Sequence, residues 1–320
     1  MRLSLRTMCY CKISGVLLLL LVNGSSLWAT MYPLPPTDVD LVGEERKTQA
    51  LAEDTLLDIA RRYDVGQDEI LLANPNVDRW LPGEGAEVVL PGRVILPRAE
   101  RNGLVLNVPE MRLYYFFNSE PDKRPMVATY PVSIGRMDWN TPLGMAKIVK
   151  KDRDPTWYPP ESLKLEAIAK GTPLPDVVPP GPANPLGRYA MRLSIPGYLI
   201  HSTNKPFGVG MRVTHGCVRM YPENIEELFP LVPVQTKVQI VNQPIKIGWN
   251  NNTLFLEVHP ELDEDLGKNQ DMTCKAYEMI FDAVENKDAI LDIKTIKKAL
   301  QEKNGMPVPI TTFVADGFQF

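Results

Sequence analysis

Leu104-Val105-Leu106-Asn107-Val108-Pro109-Glu110-Met111-Arg112-Leu113-Tyr114-Tyr115-Phe116-Phe117 is the stretch that decides the fold class. Two runs rich in β-branched and aromatic residues, 104–108 and 111–117, flank Pro109-Glu110, which is a hairpin signal. The same texture continues outward. Residues 126–134, 145–149, 189–193 and 198–201 read as strands, 224–229 as a short helix and 237–241 as a closing strand. Short strands separated by turn signals predict a mainly β domain over 101–243, a sandwich or barrel-like sheet. Residues 152–187 interrupt it with nine prolines and little periodicity. A loop that long inside a compact domain is expected to be functional, such as a lid.

Upstream, residues 30–44 are Pro-rich and polar and read as a linker. In 45–97, Leu56, Ile59, Ala60 and Tyr63 fall at helical spacing, with Asp54 or Thr55 as the expected N-cap. A second short helix over 68–74 stops at Pro75, and 88–91 and 94–97 are strand-like. Downstream, 244–320 holds a strand candidate at 254–258 and then amphipathic helices. Their apolar residues are Met272, Ala276, Met279, Ile280 and Ala283, then Ile293, Ile296 and Leu300.

The N-terminus reads as an address. Arg2, Arg6 and Lys12 precede an apolar run over 13–22, then small and polar residues up to Ala29. This is the pattern of a secretory signal peptide over 1–29, with cleavage expected after Ala29 and Ser26 as second choice. The apolar run is shorter than the roughly 20 residues a transmembrane helix needs. The exported chain is therefore expected in the periplasm, with no transmembrane segment. It would keep 32 basic and 39 acidic residues, a net charge of −7, and two cysteines, Cys217 and Cys274. Count alone favours a disulfide over a reactive thiol plus an inert one, but the surroundings of Cys217 reverse that preference, and the two are expected to be unbonded. The charge gives no footprint for nucleic acid. With three His and four Cys in 320 residues, a zinc site of Cys/His pairs is disfavoured.

Chemistry concentrates in the segment 201–220. Cys217 has His215 two residues before it and Arg219 two residues after. A thiolate is favoured by cationic neighbours, an imidazole and oriented backbone N–H groups. Gly216 allows close backbone approach, and N–H groups around a glycine can converge on an oxyanion. His201 ends a predicted strand, which is a rigid mount for a base, and Cys with His is one arrangement for acyl transfer. His215 shares a tight turn with Cys217, so its ring is expected to support the loop. His201 can face the sulfur from another strand. Against these stand the blander roles: an inert buried Cys, a structural His, a solvated Arg. Cys274, in a helical pattern with no His or Arg beside it, keeps the bland role.

Thr214-His215-Gly216-Cys217-Val218-Arg219, preceded by His201, resembles the signature of the L,D-transpeptidase (YkuD-like) catalytic domain. That signature is a His, a spacer, then Ser/Thr-His-Gly-Cys-x-Arg/Asn. The likeness extends over 101–243 and includes Thr141-Pro142-Leu143-Gly144; Ser202 stands where many relatives have Gly. Residues 45–97 resemble a LysM domain, a binder of N-acetylglucosamine-containing glycans, in Glu53-Asp54-Thr55-Leu56, Ile59–Tyr63, Asn74-Pro75 and Leu96-Pro97. The usual Gly before Asp-Thr-Leu is Glu53 here. The order of units looks like that of Gram-negative periplasmic members.

The resemblance implies an L,D-transpeptidase-type β-sandwich with a lid, beside a small α+β LysM-like domain and a helical C-terminal tail. It implies a cysteine enzyme of peptidoglycan synthesis. Cys217 would attack the bond between the third residue, a diamino acid, and the fourth, D-Ala, of a tetrapeptide stem, forming a thioester. His201 would be the base, and His215, Gly216 and Cys217 would hold the oxyanion through their N–H groups. Arg219 would bind a substrate carboxylate or brace the loop, and Ser202 and Thr214 are placed at the substrate. No metal and no cofactor are implied. The acceptor stays open between a lysine of an outer-membrane lipoprotein, the diamino acid of a second stem, and water, which would make an L,D-carboxypeptidase. A non-catalytic peptidoglycan-binding scaffold is the alternative of a different class. A papain-like order is excluded because His precedes Cys here.

Overall fold

The computed structural model describes residues 30–118, 124–267 and 271–312; the expected signal peptide, 1–29, lies outside them. The N-terminal elements are β1 (Thr30–Pro33), β2 (Leu41–Val42), β3 (Arg46–Gln49), α1 (Leu56–Arg62), α2 (Gln67–Ala73), β4 (Glu87–Leu90) and β5 (Val94–Ile95). Thr55 is the cap of α1: its hydroxyl accepts from the Asp58 N–H at 3.1 Å, and the Asp58 carboxylate accepts from the Thr55 N–H at 3.0 Å. Such a reciprocal cap satisfies two orphan donors at the helix start. β3 and β4 pair antiparallel and enclose the two helices over a core of Leu56, Ile59, Ile70 and Val88.

The 30–44 stretch is not a free linker. β1 joins the central sheet and β2 pairs with β5.

The central domain runs through β6 (Gly103–Asn107), β7 (Arg112–Asn118), β8 (Pro125–Gly135), β9 (Gly144–Arg153), α3 (Glu161–Ala169), β10 (Tyr189–Leu193), β11 (Leu199–His201), β12 (Arg212–Thr214), β13 (Val218–Met220), α4 (Pro222–Leu231) and β14 (Lys237–Val241). The hairpin is as expected: β6 pairs antiparallel with β7 across the Pro109-Glu110 turn. The strands follow the order β8-β13-β11-β10-β9-β14-β6-β7, and β7 pairs again with β8. The pairing path thus closes on itself through two groups of strands that share β8 and β9, an arrangement within the expected sandwich or barrel-like sheet. Closure pairs the two ends of this path, and the short β1 lies outside it, on β8. Leu104, Leu113, Tyr130, Ile148, Met191 and Val218 fill the interior, and α4 closes it with Ile225 and Leu228.

After β14 the chain forms β15 (Ile245–Asn250), β16 (Thr253–Val258), α5 (Met272–Val284), β17 (Ile290–Leu291), α6 (Ile293–Glu302), β18 (Val308–Pro309) and β19 (Thr311–Thr312). The expected helical tail is therefore an α+β unit. α5 and α6 cover the β15-β16-β18 sheet with Ala276, Ile280, Ile296 and Leu300. No helix of the described residues is long and apolar enough to cross a membrane.

Polar contacts lock the three units together. Lys246 Nζ is buried between Glu257 at 2.6 Å and Glu110 at 2.9 Å, and donates to the Ile95 carbonyl at 2.7 Å. Glu257, Glu110 and His259 could in principle gather around a metal, but Lys246 already supplies the cation there. On the other side, α2 abuts the loop between β11 and β12. The Gln67 and Asp68 N–H groups donate to the Val209 and Gly210 carbonyls, each at 3.0 Å, and the Gln67 side chain donates to the Phe207 carbonyl at 3.0 Å. Gly210 has φ +86°, and a Cβ there would come within 2.2 Å of the Gln67 nitrogen. Arg61–Glu223 and Arg112–Glu69 ion pairs, both at 2.5 Å, flank this seam.

Candidate active site

Strand alternation builds the site. Val218 and Met220 of β13, Ile200 of β11 and Met191 of β10 point into the core. The residues between them, Cys217, Arg219, Leu199, His201 and Arg192, therefore face the other way, and all five line one cavity of about 300 Å³. β11 and β13 run parallel with His201 beside Arg219. The histidine is thus placed one strand away from the strand that begins after Cys217.

Cys217 occupies the turn between β12 and β13, half-buried and free of any disulfide; Cys274 is also free and lies exposed on α5. The Cys217 thiol lies 3.6 Å from the Gly197 carbonyl. Gly216 has φ +95°, and a Cβ there would strike the Tyr198 ring at 2.6 Å, so glycine is required for both conformation and space. The turn is braced twice. The Thr214 hydroxyl donates to the Cys217 carbonyl at 2.6 Å, and the Thr141 hydroxyl donates to the Gly216 carbonyl at 3.0 Å. With those carbonyls held, the N–H groups of His215, Gly216 and Cys217 have no protein acceptor among the described residues. Three such donors on one tight turn suit an oxyanion.

The His201 ring is buried, and its Nδ1 lies 2.5 Å from the Ser202 carbonyl. A carbonyl only accepts, so the proton sits on Nδ1 and the lone pair on Nε2. Burial, helped by the Arg219 charge, pushes the His201 pKa down to about 4. Burial also raises the Cys217 thiol, against the Leu199 N–H and Arg219, which favour the thiolate. The resting pair is therefore a neutral thiol and a neutral imidazole. This agrees with the expected role of His201 as the base for the Cys217 proton: desolvation outweighs the neighbouring cations here.

His215 supports the lid. Its Nε2 lies 3.0 Å from the Glu166 carboxylate on α3, and its ring meets Trp139 edge-on with centroids 5.3 Å apart. Glu166 is further held by Arg136 at 2.7 Å and Lys170 at 2.5 Å. These partners keep its carboxyl well below the usual range, Arg136 first among them. The 152–187 segment is ordered by Asn184, whose amide donates to the Pro155 carbonyl at 2.8 Å, and by the Trp157–Val178 bridge. Trp157, Tyr158 and Leu163 from this segment form the outer wall of the cavity.

The other expected residues divide. Arg219 lines the cavity, and its Nε is buried without a hydrogen-bond partner among the described residues. Thr214 lines it too, but its hydroxyl is spent on the turn. Ser202 does not line it; the side chain packs at Gly187, and only the carbonyl serves the site, through His201. Glu166, Trp139 and Arg192 were not singled out from the sequence. Arg192 left a signal, a charge in an otherwise apolar strand. Glu166 left none, because nothing in an aperiodic stretch marks it.

Residues 101–240 match the family model described as the L,D-transpeptidase catalytic domain, YkuD. The chain is 36% identical over 293 residues to an Escherichia coli K12 protein named "Probable L,D-transpeptidase YcfS", covering 88% of each chain. It is also 36% identical over 299 residues to "Probable L,D-transpeptidase ErfK/SrfK" of Salmonella typhimurium LT2, covering 91% of this chain and 94% of that one. The same identity holds over 299 residues with "Probable L,D-transpeptidase YbiS" of E. coli K12, at 89% and 93% coverage.

Proposed function

The chain belongs to the L,D-transpeptidase family, and from that premise we propose that Cys217 is the nucleophile of a peptidoglycan L,D-transpeptidase with His201 as its base. The observation that carries this reading is the pairing, in one lidded cavity, of a free cysteine with a histidine whose tautomer is fixed by the Ser202 carbonyl.

In the first half-reaction Cys217 Sγ attacks the diamino acid carbonyl of the tetrapeptide stem while His201 Nε2 takes the thiol proton. The carbonyl oxygen, now an oxyanion, is held by the N–H groups of His215, Gly216 and Cys217. Collapse breaks the C–N bond, and the imidazolium returns the proton to the D-Ala amine, which leaves. In the second half-reaction His201 takes a proton from an acceptor amine as it attacks the thioester. The new amide forms and the thiol is restored. Arg219, a half-buried guanidinium whose Nε is buried and unfilled, is placed to take a substrate carboxylate, which would offset the cost of desolvating its charge. The lid of Trp157, Tyr158 and Leu163 shields the thioester from water, favouring an amine as acceptor over hydrolysis.

For the acceptor we favour a lysine of an outer-membrane lipoprotein, because the order of units resembles that subgroup. The unit over 45–97, with its LysM-like sequence, would grip wall glycan, and the 1–29 segment would direct the enzyme to the periplasm. The test incubates the exported form with disaccharide tetrapeptide and either a lysine-bearing peptide or a second tetrapeptide, read by mass spectrometry. Loss of D-Ala with a new amide to the lysine, absent in Cys217→Ala, is expected. A product formed only with the second stem would move the acceptor to a crosslink. Release of D-Ala by Cys217→Ala at the wild-type rate would remove Cys217 from the mechanism.

A further inference from the structure

Two guanidinium groups line the cavity, and Arg219 accounts for only one of them. Arg192 sits on β10 directly opposite Leu199 of β11. The pairing of β11 with β13 places Leu199 one residue before the Ile200–Val218 pair, level with Cys217. Arg192, Leu199 and Cys217 thus form a row across three strands. Neighbouring strands lie about 4.8 Å apart, so the Arg192 backbone is roughly 10 Å from that of Cys217. Asp152 on β9 accepts from Arg192 Nε at 2.8 Å and is itself paired with Lys150 at 2.7 Å. That contact fixes one edge of the fork. The two terminal nitrogens have no protein partner among the described residues.

We infer that Arg192 is a second carboxylate-binding residue, which selects stems whose diamino acid ends in a carboxylate. This rests on the function proposed above. The argument is one of reach. From the attacked carbonyl carbon to the carboxylate of the following D-Ala is one residue, about 3.5 Å. To a carboxylate at the far end of a seven-carbon diamino acid is six bonds, about 7–8 Å. Arg219 lies two residues along the strand from Cys217, beside the base. Arg192 lies off to the side, two strands away, at the span the longer arm needs. A guanidinium fork pre-set by Asp152 recognises a carboxylate by two parallel hydrogen bonds, which a terminal amide or a lone amine cannot accept equally.

The test measures D-Ala release by the exported form from two synthetic tetrapeptides, one with meso-diaminopimelate and one with its side-chain carboxylate amidated. The wild type should favour the free acid by about 10- to 100-fold in kcat/KM, carried mainly by KM. In Arg192→Gln that preference should fall to near unity through a loss on the free acid. Arg192→Lys keeps the charge and a partner for Asp152, guards against a folding defect, and should fall between. An equal loss on both stems in Arg192→Gln would make the residue merely structural and overturn the inference. So would a wild type that turned over both stems equally well. A wild type inert on both would instead overturn the L,D-transpeptidase reading of the site, and this inference with it.

Discussion

Acidifying an acylation assay should show which charge state the Cys217–His201 pair rests in. The His201 pKa lies at about 4, against 6.5 for a free imidazole, because the ring is buried beside Arg219. At pH 5.5 a base of pKa 4 is about 97% neutral, whereas an unperturbed imidazole would be about 9% neutral. Thioester formation on Cys217 by a carbapenem, followed by time-resolved mass spectrometry from pH 3.5 to 9, should therefore hold its plateau to about pH 5. The rate should then halve near 4. In His201→Ala the plateau should drop by about 10²–10⁴-fold and the acid limb should vanish. Alkylation of Cys217 by iodoacetamide should rise only above the ordinary thiol range, because burial raises this thiol. Stability carries the same signature. The folded state binds fewer protons than the unfolded state between the two His201 values. Its contribution is thus intact above pH 6.5 and is lost as the pH falls toward 4, by about 3 kcal/mol. A wild-type acid limb centred at 6 to 7, or thiolate absorbance at neutral pH, would refute this reasoning and point to a preformed ion pair.

Glu166→Gln should loosen the lid: limited proteolysis within 155–185 should speed up and kcat/KM should fall, while a Cys217 label still reacts. Lys246→Ala should lower unfolding stability by about 3–5 kcal/mol in a urea titration, because Glu110 and Glu257 lose the buried ammonium they share. Thiol labelling of unreduced protein should find both Cys217 and Cys274 free.

The hairpin over 104–117 and the strands at 189–193 and 237–241 were legible because each is a run of β-formers between turn residues. The His201 and Cys217 pairing was legible because the motif is local in sequence. The β14–β6 and β13–β8 pairings that close the path were not, since they join strands about 85–135 residues apart through twist and tertiary packing rather than through any local residue pattern. α3 was hidden by its own composition: Leu165 and Ile168 stay exposed, so no amphipathic period exists to be read. β1 ends at Pro33 in a Pro-rich stretch, and only its partner in β8, far along the chain, makes it a strand. The burial that raises the thiol was also out of reach, because neighbours in sequence reveal charges but not the depth at which they are buried.

The seam between α2 and the Phe207–Gly210 loop has a mechanical meaning. That loop is the stretch of chain joining His201 to Cys217, and its carbonyls are gripped by the start of α2. A unit hung on a slack cord would raise the local concentration of substrate and leave its orientation free. Here the N-terminal unit is clamped to the catalytic loop itself, as the fixed jaw of a caliper. Under the glycan-gripping role proposed above, Cys217 would meet stems at one set offset from the strand that carries them.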